Sequence, residues 1–353
     1  MIYYGVMVAL TVLIFLFLTA MQYEKKIVDS ITLTVFFLLY LLLLSCRDVS
    51  VGNDTRVYVK TFEYIRTLDW KEGLLVGKQE IGFKILRQLI TYIGGSRFFI
   101  CIVAGLTVLP ILYLYKNEAE GSMLCISFFL ISLLFEFFFS GMRQGIAITL
   151  GVPAYYMVKK KKLIPFILIV ILACTFHKTA VLLLLLYPMY YARITKKWLW
   201  FVIPGTIAVY INRNLILEQV IQLSGDEYST KYAYLTGSSG QIGLMILFVL
   251  LAIYCYIMLD ENLAGQEEIG LRNILLLATC MHLFTPLHPT ISRLNYYFIL
   301  FIPVAVTRIN NRTNELFIQV ERIASVFLPV FFILYFFLVK SDTLHVFDYQ
   351  LFF

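Results

Sequence analysis

The sequence contains few charged residues for its length. Charged side chains make up 14% of the 353 residues, whereas hydrophobic side chains make up 60%. A soluble domain usually has about a quarter of its residues charged and about half apolar. A water-soluble core cannot hide this much apolar surface, so the composition excludes an ordinary soluble protein and indicates an integral membrane protein.

Several chemical signatures are also missing. The six cysteines lack CxxC spacing and lie in or beside apolar runs, which indicates small buried residues rather than a zinc site or a disulfide framework. No His/Glu metal box, phosphate-cradling glycine loop or nucleophile elbow occurs, so no metal, cofactor or nucleotide is expected. The net charge of +7 comes from short basic clusters between apolar runs. Nucleic acid is therefore not an expected partner.

Long apolar runs are what the sequence does contain. A hydrocarbon layer of ~30 Å requires roughly 20 apolar residues per helix. We predict an all-α, polytopic transmembrane helical bundle of about 12 spans, with a range of about 10–13, and one integral membrane domain over residues 1–353. The first run lacks a preceding basic segment, so it is interpreted as a retained helix. The runs lie at 2–20, 30–46, 97–115, 122–140, 142–158, 163–176, 178–192, 198–211, 241–259, 271–287, 293–309 and 323–339.

The short basic loops predict an orientation. If the N-terminus starts outside, the alternation of spans places every short basic cluster in a cytoplasmic loop. The clusters are Lys25 with Lys26, Lys116, Lys159–Lys162, Arg193 with Lys196 and Lys197, and Arg308 with Arg312 and Arg322.

The same orientation places two longer stretches, 47–96 and 212–240, on the outer face. Within the first, Glu80–Ile93 predicts an amphipathic helix at the membrane interface. Its apolar side would carry Ile81, Ile85 and Leu89, and its polar side Lys84, Arg87 and Gln88. The second stretch is predicted to be a solvated loop, with a mobile lid as the alternative.

Unusual polar residues gather at the outer ends of the predicted helices. Charges at membrane depth are costly, so their convergence on one face indicates a functional site. Arg143 stands out because Gly141–Gly145 interrupts two apolar runs, and a guanidinium suits phosphate oxygens. The pattern favours a diphosphate ligand. An interfacial anchor is the alternative for Arg143, and for Arg293 as well.

Three residues are candidates for moving a proton. His177 lies in a brief polar step between apolar segments, where it could shuttle a proton or make only a structural hydrogen bond. Asp54 follows a glycine turn, so it could cap the next helix or accept a proton from a sugar hydroxyl. Glu80 is a second candidate carboxylate. His288, beside Pro286 and Pro289, is predicted to be structural.

In their order, these residues resemble the EpsG-like, Wzy-type polysaccharide polymerases of bacteria. The residues that carry the resemblance are Arg47, Gly52-Asn53-Asp54-Thr55 with Tyr58, Glu80-x-Gly82-Phe83, Arg143-Gln144 and Phe176-His177-x-Thr179-Ala180. They cover about the first half of the chain. The second half is similar only in hydropathy and length, apart from Arg293.

The resemblance implies a glycosyltransferase that joins undecaprenyl-diphosphate-linked oligosaccharide repeat units at the outer face of the bacterial cytoplasmic membrane. The growing glycan would pass from its lipid diphosphate to a hydroxyl of the incoming unit, with no nucleotide sugar. Implied partners are that lipid-linked oligosaccharide, membrane lipid, and a chain-length regulator and a flippase of the same pathway. Implied catalytic residues are Asp54, Glu80 and His177, and implied substrate or diphosphate contacts are Arg47, Thr55, Tyr58, Arg143, Gln144, Lys178 and Arg293.

Other functions remain open at this point. A lipid-linked oligosaccharide flippase is also polytopic, but it should carry charges through the bilayer and often an internal repeat. An O-antigen-ligase-like transferase, a membrane acyltransferase and a purely structural membrane protein are further alternatives. Capsule, exopolysaccharide and O-antigen are equally compatible products.

Overall fold

A computed structural model describes residues 1–223, 242–285, 289–309, 315–340, 342 and 344–352. The chain divides into two compact units, Met1–Leu184 with Gln319–Phe353, and Leu185–Ile318. Regular structure in the described ranges is helical, apart from one isolated bridge between Arg47 and Leu351. The all-α fold class is confirmed, while the single domain over 1–353 stays a prediction.

The helices of the first unit follow the apolar runs and also fill much of the 47–96 stretch. They are α1 (Ile2–Ala20), α2 (Lys25–Cys46), α3 (Thr55–Ile65), α4 (Trp70–Leu75), α5 (Ile81–Thr91), α6 (Ser96–Glu118), α7 (Ser122–Ile131), α8 (Leu133–Ser140), α9 (Met142–Thr149), α10 (Gly151–Lys159) and α11 (Leu163–Phe176). A 3₁₀ helix follows at Lys178–Leu185.

The second unit is also helical in its described part. Its helices are α12 (Leu186–Tyr191), α13 (Leu199–Ile211), α14 (Arg213–Leu223), α15 (Ile242–Met258), α16 (Gln266–His282), α17 (Pro289–Ile299) and α18 (Ile302–Arg308), and α19 (Glu315–Leu338) belongs to the first unit from Gln319. The predicted loop at 212–240 is wrong for its first part, which forms α14. Residues 224–240 of that loop, and His288, lie outside the described residues.

Within the described residues, three helices, α1, α2 and α6, are long and apolar enough to cross a membrane. A fourth span results if α7 and α8 are taken together, although they are bent by 61°. These apolar helices indicate a membrane protein, but the count of about 12 spans is not confirmed. Some of the other apolar runs are divided into shorter helices; the run at 142–158, for example, is broken at Leu150.

The break between α7 and α8 is held by a lysine from the far end of the chain. The ammonium group of Lys340 donates to the carbonyl oxygens of Leu130, at 2.8 Å, and Ser132, at 3.1 Å. It also lies 2.9 Å from a carboxylate oxygen of buried Glu136. Because carbonyls at a helix end lack helical partners, Lys340 stabilises the bend that directs α8 toward α9.

The 47–96 stretch contains three helices, of which the one after Asp54 and the amphipathic one after Glu80 were expected from the sequence. Helix α5 confirms the helical periodicity, since Ile81, Ile85 and Leu89 are exposed on one side, as an interface helix requires. Arg87 and Gln88, which were expected on an opposite polar side, are instead each only 1% exposed. They share the inner side of α5 with buried Phe83 and Ile90, so the protein itself covers them.

An apolar cluster joins the ends of four helices. Buried Phe62 of α3, Phe83 of α5 and Met142 of α9 pack together with residues of α6. Tyr58 and Phe176 pack against the edge of this cluster. Burial of such side chains is the main stabilising term for a fixed helix arrangement inside the protein. The cluster therefore sets the relative positions of the residues just beyond it.

The C-terminal segment 344–352 is hydrogen-bonded to the turn after α2. The backbone nitrogens of Asp48 and Phe352 donate to the carbonyls of Gln350 and Cys46, at 2.8 and 3.0 Å. In the same turn, Gly52 has φ +85°, and a Cβ atom there would lie 2.3 Å from the carbonyl oxygen of Phe139. Only glycine fits this position, which brings the turn against the end of α8.

The cysteines only partly follow the expectation of burial. Cys125 and Cys255 are buried, whereas Cys46 and Cys101 are exposed. All six are free thiols. A span that faces lipid exposes apolar residues freely, so apolar surroundings in the sequence do not by themselves predict burial inside the protein.

Candidate active site

Glu80 is the centre of a polar cluster at the start of α5. Its Oε2 atom accepts a hydrogen bond from Nη1 of Arg143 in an ion pair. Its Oε1 atom lies 3.2 Å from Nδ1 of His177 and accepts from the backbone nitrogen of Lys178 at 3.3 Å. One carboxylate thus brings together predicted site residues from three separate segments. We call the four residues Tyr58, Glu80, Arg143 and His177 the Glu80 cluster.

Arg143 lies in the first turn of α9, directly after the break at Gly141. Its Nε atom donates to the hydroxyl oxygen of Tyr58 at 3.2 Å, so the hydroxyl proton remains for another acceptor. Its Nη2 atom makes no hydrogen bond to the described residues, and 27% of the side chain is exposed. An anion can therefore contact Arg143 without displacing Glu80 or Tyr58.

His177 caps the C-terminal end of α11, where the backbone becomes extended. A carboxylate beside Nδ1 favours the neutral tautomer with its proton on Nδ1, which makes Nε2 the basic nitrogen. The 3.2 Å contact does not have hydrogen-bond geometry as it stands, but it places a carboxylate and an imidazole as they are paired in a general base, and a small rotation of the ring would align them. In this contact Glu80 is the orienting carboxylate, and His177 is basic through its Nε2 atom.

The surroundings of Glu80 keep it ionised. Burial alone would raise the pKa of the Glu80 carboxyl, but its own backbone N–H, the charge of Arg143 and the N–H of Lys178 outweigh this and hold the pKa below its ordinary value. For Tyr58, burial raises the pKa of the hydroxyl despite the opposing charge of Arg143. At neutral pH the cluster therefore holds a carboxylate and a protonated phenol.

Close approach of α5 and α11 makes the Glu80–His177 contact possible. A Cβ atom on Gly82 would lie 2.2 Å from Oγ1 and 2.9 Å from the backbone oxygen of Thr175. Gly82 is two residues after Glu80, and Thr175 is two residues before His177. The absence of a side chain at Gly82 therefore determines the distance between the carboxylate and the imidazole.

Under the glycan-polymerase activity that the sequence resemblance implies, we expect Gly82→Ala to lower the rate by about tenfold, because the added methyl group separates α5 from α11 and lengthens the Glu80–His177 contact. The measurement is the initial rate of that reaction by detergent-purified protein. In the double variant Gly82→Ala/Thr175→Ala, the clash with Oγ1 is removed, so part of the rate should return. Equal rates for the wild type and Gly82→Ala would contradict this account.

Asp54 lies at the N-cap position of α3, but the predicted capping bond is not formed. Its side chain makes no capping hydrogen bond, while its backbone nitrogen donates to Oγ of Ser140 at 3.2 Å. The negative charge of Asp54 contributes to raising the pKa of Tyr58, after the larger effect of burial. The carboxylate thus lies on the Tyr58 side of the cluster and is not occupied by capping.

Arg47 and Thr55 are buried and bonded to neighbouring chain segments. Arg47 donates from Nη1 to the carbonyl of Leu44 and from Nε to Oγ1 of Thr55, at 3.5 Å. The Thr55 hydroxyl lies 2.8 Å from the carbonyl of Val51 and 2.9 Å from that of Phe139. These bonds join the ends of α2 and α8 to the start of α3. A role for either residue in binding a diphosphate stays a prediction.

The remaining residues that were predicted to contact the substrate or diphosphate lie in different surroundings. Gln144 is buried beside Arg143 in α9, at 6% exposure. Lys178 contributes its backbone nitrogen to the Glu80 cluster, and its side chain is exposed. Arg293 is half-buried in α17 of the second unit, and its predicted part in diphosphate binding stays a prediction.

The sequence pattern did not predict the surroundings of Arg87. Its guanidinium is buried, and the positive charge of Arg143 lowers its pKa in addition to the larger effect of burial. Arg87 therefore lies within electrostatic range of the Glu80 cluster. Helical periodicity alone could not reveal this, because it assigned Arg87 to the polar side of an interface helix.

The chemistry available at the cluster is anion binding and proton transfer. In the part of the chain that the structure describes, no group of three or more His, Cys, Asp or Glu residues could hold a metal ion. The groups present are a guanidinium, a phenol, an ionised carboxylate and an imidazole. Guanidinium and phenol donors suit phosphate oxygens, while the oriented imidazole suits a hydroxyl proton.

Comparison with known proteins supports the resemblance seen in the sequence. Neither a curated protein nor a solved structure matches this chain. A family model, that of the EpsG family, matches residues 30–351. The match includes the whole Glu80 cluster and extends through the second half of the chain, where the sequence motifs had shown little beyond Arg293. The chain therefore belongs to the EpsG family.

Proposed function

We propose that this protein is a glycosyltransferase that polymerises lipid-diphosphate-linked oligosaccharide repeat units, with the Glu80 cluster as its active site. Membership of the EpsG family suggests a polymerase-type function in polysaccharide biosynthesis. The observation that carries the finer proposal is that Arg143, a candidate diphosphate ligand, and His177, a candidate base, share one carboxylate. An anion-binding group and a proton acceptor are the two groups that this transfer needs.

In the proposed reaction, a hydroxyl oxygen of the incoming unit attacks the anomeric carbon of the growing glycan. The bond between that carbon and the phosphate oxygen breaks, and its electron pair stays with the leaving lipid diphosphate. The hydroxyl proton passes to Nε2 of His177. Bond formation at one oxygen thus balances bond cleavage at the other, and no nucleotide or oxidant is consumed.

Arg143 has the proposed role of stabilising the leaving diphosphate. Negative charge grows on that group as the glycosyl bond breaks, and a preorganised cation in a partly buried site stabilises it strongly. Nη2 of Arg143 can bond one phosphate oxygen while Nη1 stays with Glu80. The Tyr58 hydroxyl, whose oxygen accepts from Arg143, can donate its proton to a second phosphate oxygen.

Glu80 is proposed to orient its neighbours rather than to act as the base. Both of its carboxylate oxygens already have partners, and its pKa is held below the ordinary value by surrounding donors and positive charge despite burial. An acid this strong accepts a proton poorly at neutral pH. Asp54, which makes no capping bond, is the second candidate base.

The finer setting of the reaction is part of the proposal. We place the cluster at the outer face of a bacterial cytoplasmic membrane, in a bundle of about 12 spans, with undecaprenyl as the lipid. Exposed Ile81, Ile85 and Leu89 on α5 support contact with the membrane interface beside the cluster. Pathway partners would be a flippase that supplies the units and a regulator of chain length.

We expect Arg143→Ala to lower the polymerisation rate on the order of 100-fold, because a charge-stabilising donor at the leaving group is lost. Purified protein is incubated, without nucleotide sugar, with lipid-linked oligosaccharide extracted from the cells that carry it, and the products are separated on a glycan gel. Arg66→Ala is the matched control, since Arg66 pairs with Glu63 at the surface of the 47–96 stretch. Its ladder should match that of the wild type.

The products also separate the proposal from its alternatives. A ladder spaced by one repeat unit, lost in Arg143→Ala, supports a polymerase. A single transfer to another acceptor would indicate a ligase, and a mass increase of one acyl group an acyltransferase. Transport of the lipid-linked unit across vesicles without any new glycosidic bond would indicate a flippase and overturn the proposal.

A further inference from the structure

Arg87 is a buried cation without a carboxylate partner. Its side chain is only 1% exposed, and no carboxylate of the described residues lies within ion-pair distance. Nη1 is 3.4 Å from the Gln79 amide oxygen, and Nη2 donates to the carbonyl of Val76 at 3.2 Å. Nε has no hydrogen-bond partner. Burying a charge is costly unless the charge is paired, so this arrangement lacks an anion.

Arg143 and Arg87 differ in how their charges are balanced. The charge of Arg143 is balanced by Glu80, with which it forms an ion pair. Glu80 also faces His177, so it has no oxygen left for Arg87. The attraction for an incoming anion therefore comes mainly from Arg87 rather than from Arg143.

Arg87 is charged under ordinary conditions. Burial, with a smaller contribution from Arg143, lowers the pKa of the Arg87 guanidinium to about 10. This value is still well above neutral pH, so the side chain keeps its proton and five N–H donors. Two like charges in one partly buried site repel each other, and an anion in contact with both would relieve that repulsion.

We propose that Arg87 is the second arginine of the diphosphate site, where it binds the same diphosphate group as Arg143. This inference rests on the proposed function and adds to it the residue that supplies the uncompensated charge. A diphosphate carries more negative charge than a single guanidinium can balance. Arg87 supplies the unbalanced positive charge and Arg143 a second guanidinium donor, while Glu80 holds Arg143 in place.

The segment Val76–Gln79 covers Arg87 in the present arrangement. Val76 and Gln79 supply both of its hydrogen-bond acceptors, and both are neutral. Phosphate oxygens form shorter and stronger bonds to a guanidinium than neutral acceptors do. A diphosphate would therefore replace these two contacts, and the segment would move away from Arg87 as the ligand enters.

The proposal is tested with geranyl diphosphate and geranyl monophosphate as probes, titrated calorimetrically into the full chain in detergent. We expect Arg87→Gln to weaken geranyl diphosphate binding by about tenfold or more, because a charge-assisted contact is lost. Binding of the monophosphate should change less. Arg66→Gln removes the same charge from a surface ion pair in the 47–96 stretch and should change neither affinity by more than about twofold.

Equal geranyl diphosphate affinities for Arg87→Gln and the wild type would overturn the proposal and leave Arg87 as a support for the Val76–Gln79 segment. If Arg87→Gln does not fold, Arg87→Lys is measured instead. Lysine keeps the charge but not the planar fork, so the diphosphate should lose affinity and the monophosphate should not. Unchanged binding of both probes to Arg87→Lys would count against the proposal. Inorganic pyrophosphate that competes with geranyl diphosphate would show that the headgroup, not the lipid, is recognised.

The binding test of Arg87 and the glycan-ladder test of the proposed function can give opposite outcomes. If Arg143→Ala abolishes the glycan ladder while Arg87→Gln binds diphosphate normally, the polymerase stands and the role of Arg87 is wrong. If the wild type binds geranyl diphosphate through Arg87 but makes no ladder, the anion site stands and the polymerase is wrong.

Discussion

Replacing His177 by alanine is expected to lower the polymerisation rate by roughly 1000-fold, because the acceptor hydroxyl loses its general base. The structure supports this size of effect since Nδ1 of His177 faces the Glu80 carboxylate at 3.2 Å, which favours the tautomer with its proton on Nδ1 and leaves Nε2 as the basic nitrogen. The initial rate of ladder formation is the measurement. Binding of geranyl diphosphate, measured in parallel, should change by less than about threefold, because anion binding is assigned to the arginines.

Chemical rescue distinguishes a base from a structural histidine. Added imidazole should restore part of the rate of His177→Ala, since it can occupy the space of the lost ring and accept the same proton. It should not restore the rate of Glu80→Gln, in which the ring is still present. A His177→Ala variant that polymerises normally would transfer the role of base to Asp54, and Asp54→Asn would then show the large loss.

The sequence predicted where helices occur better than how they are broken. Apolar runs at 2–20 and 97–115 coincide closely with α1 and α6. The run at 122–140 was predicted as one span, but it bends at Ser132. Lys340, more than 200 residues later, bonds the carbonyls at this bend. Hydropathy is a local property, so it contains no signal for a break that a distant side chain stabilises.

The individual site residues were predictable because each interrupts an apolar or amphipathic pattern. Arg143 and His177 are polar steps between apolar runs, and Glu80 precedes an amphipathic helix. What could not be predicted is that one carboxylate serves all of them. Its partners Arg143 and Lys178 are 63 and 98 residues away along the chain. Their meeting depends on the packing of α5, α9 and α11.

Arg87 is a further residue whose surroundings could not be predicted from the sequence. Its spacing from Lys84 and Gln88 correctly predicted one side of a helix. Whether that side faces water or protein depends on α4 and the Val76–Gln79 segment, which no periodicity reveals. A buried arginine therefore looked like an ordinary surface residue, and only its surroundings indicate a binding role.

Glu80→Gln is the second substitution for which we expect a loss of roughly 1000-fold in polymerisation rate. The change keeps the shape of the side chain but removes the charge that pairs with Arg143 and orients His177. Arg143 would then lie in a partly buried site without its counter-ion, and the imidazole could adopt the other tautomer. Because two groups are disturbed at once, the effect should exceed that of Arg143→Ala.

Glu63→Gln provides the matched control for Glu80→Gln. Glu63 also lies in the 47–96 stretch and pairs with an arginine, Arg66, at 3.0 Å, but 44% of its side chain is exposed. Glu63 also accepts from the backbone nitrogen of Ser96 at 3.3 Å, a bond that the amide oxygen of glutamine can keep. Exposed pairs contribute about 0–1 kcal/mol, so loss of the pair with Arg66 should change neither rate nor folding measurably. A loss in Glu63→Gln as large as in Glu80→Gln would mean that general destabilisation, rather than the cluster, explains both.

The pH dependence separates an orienting carboxylate from a catalytic acid or base. Although burial opposes it, the surrounding donors and the charge of Arg143 keep the pKa of Glu80 below its ordinary value of 4.5 in the folded protein. Its stabilising contribution is therefore fully present above pH 4.5 and is lost only as the pH falls through the lower folded-state value. Protonation of Glu80 should accordingly contribute no loss of the wild-type rate above pH 4.5. A step in the wild-type pH profile near neutral pH that persists in His177→Ala and is absent from Glu80→Gln would show that Glu80 itself exchanges the proton, and His177 would then be the residue that orients it.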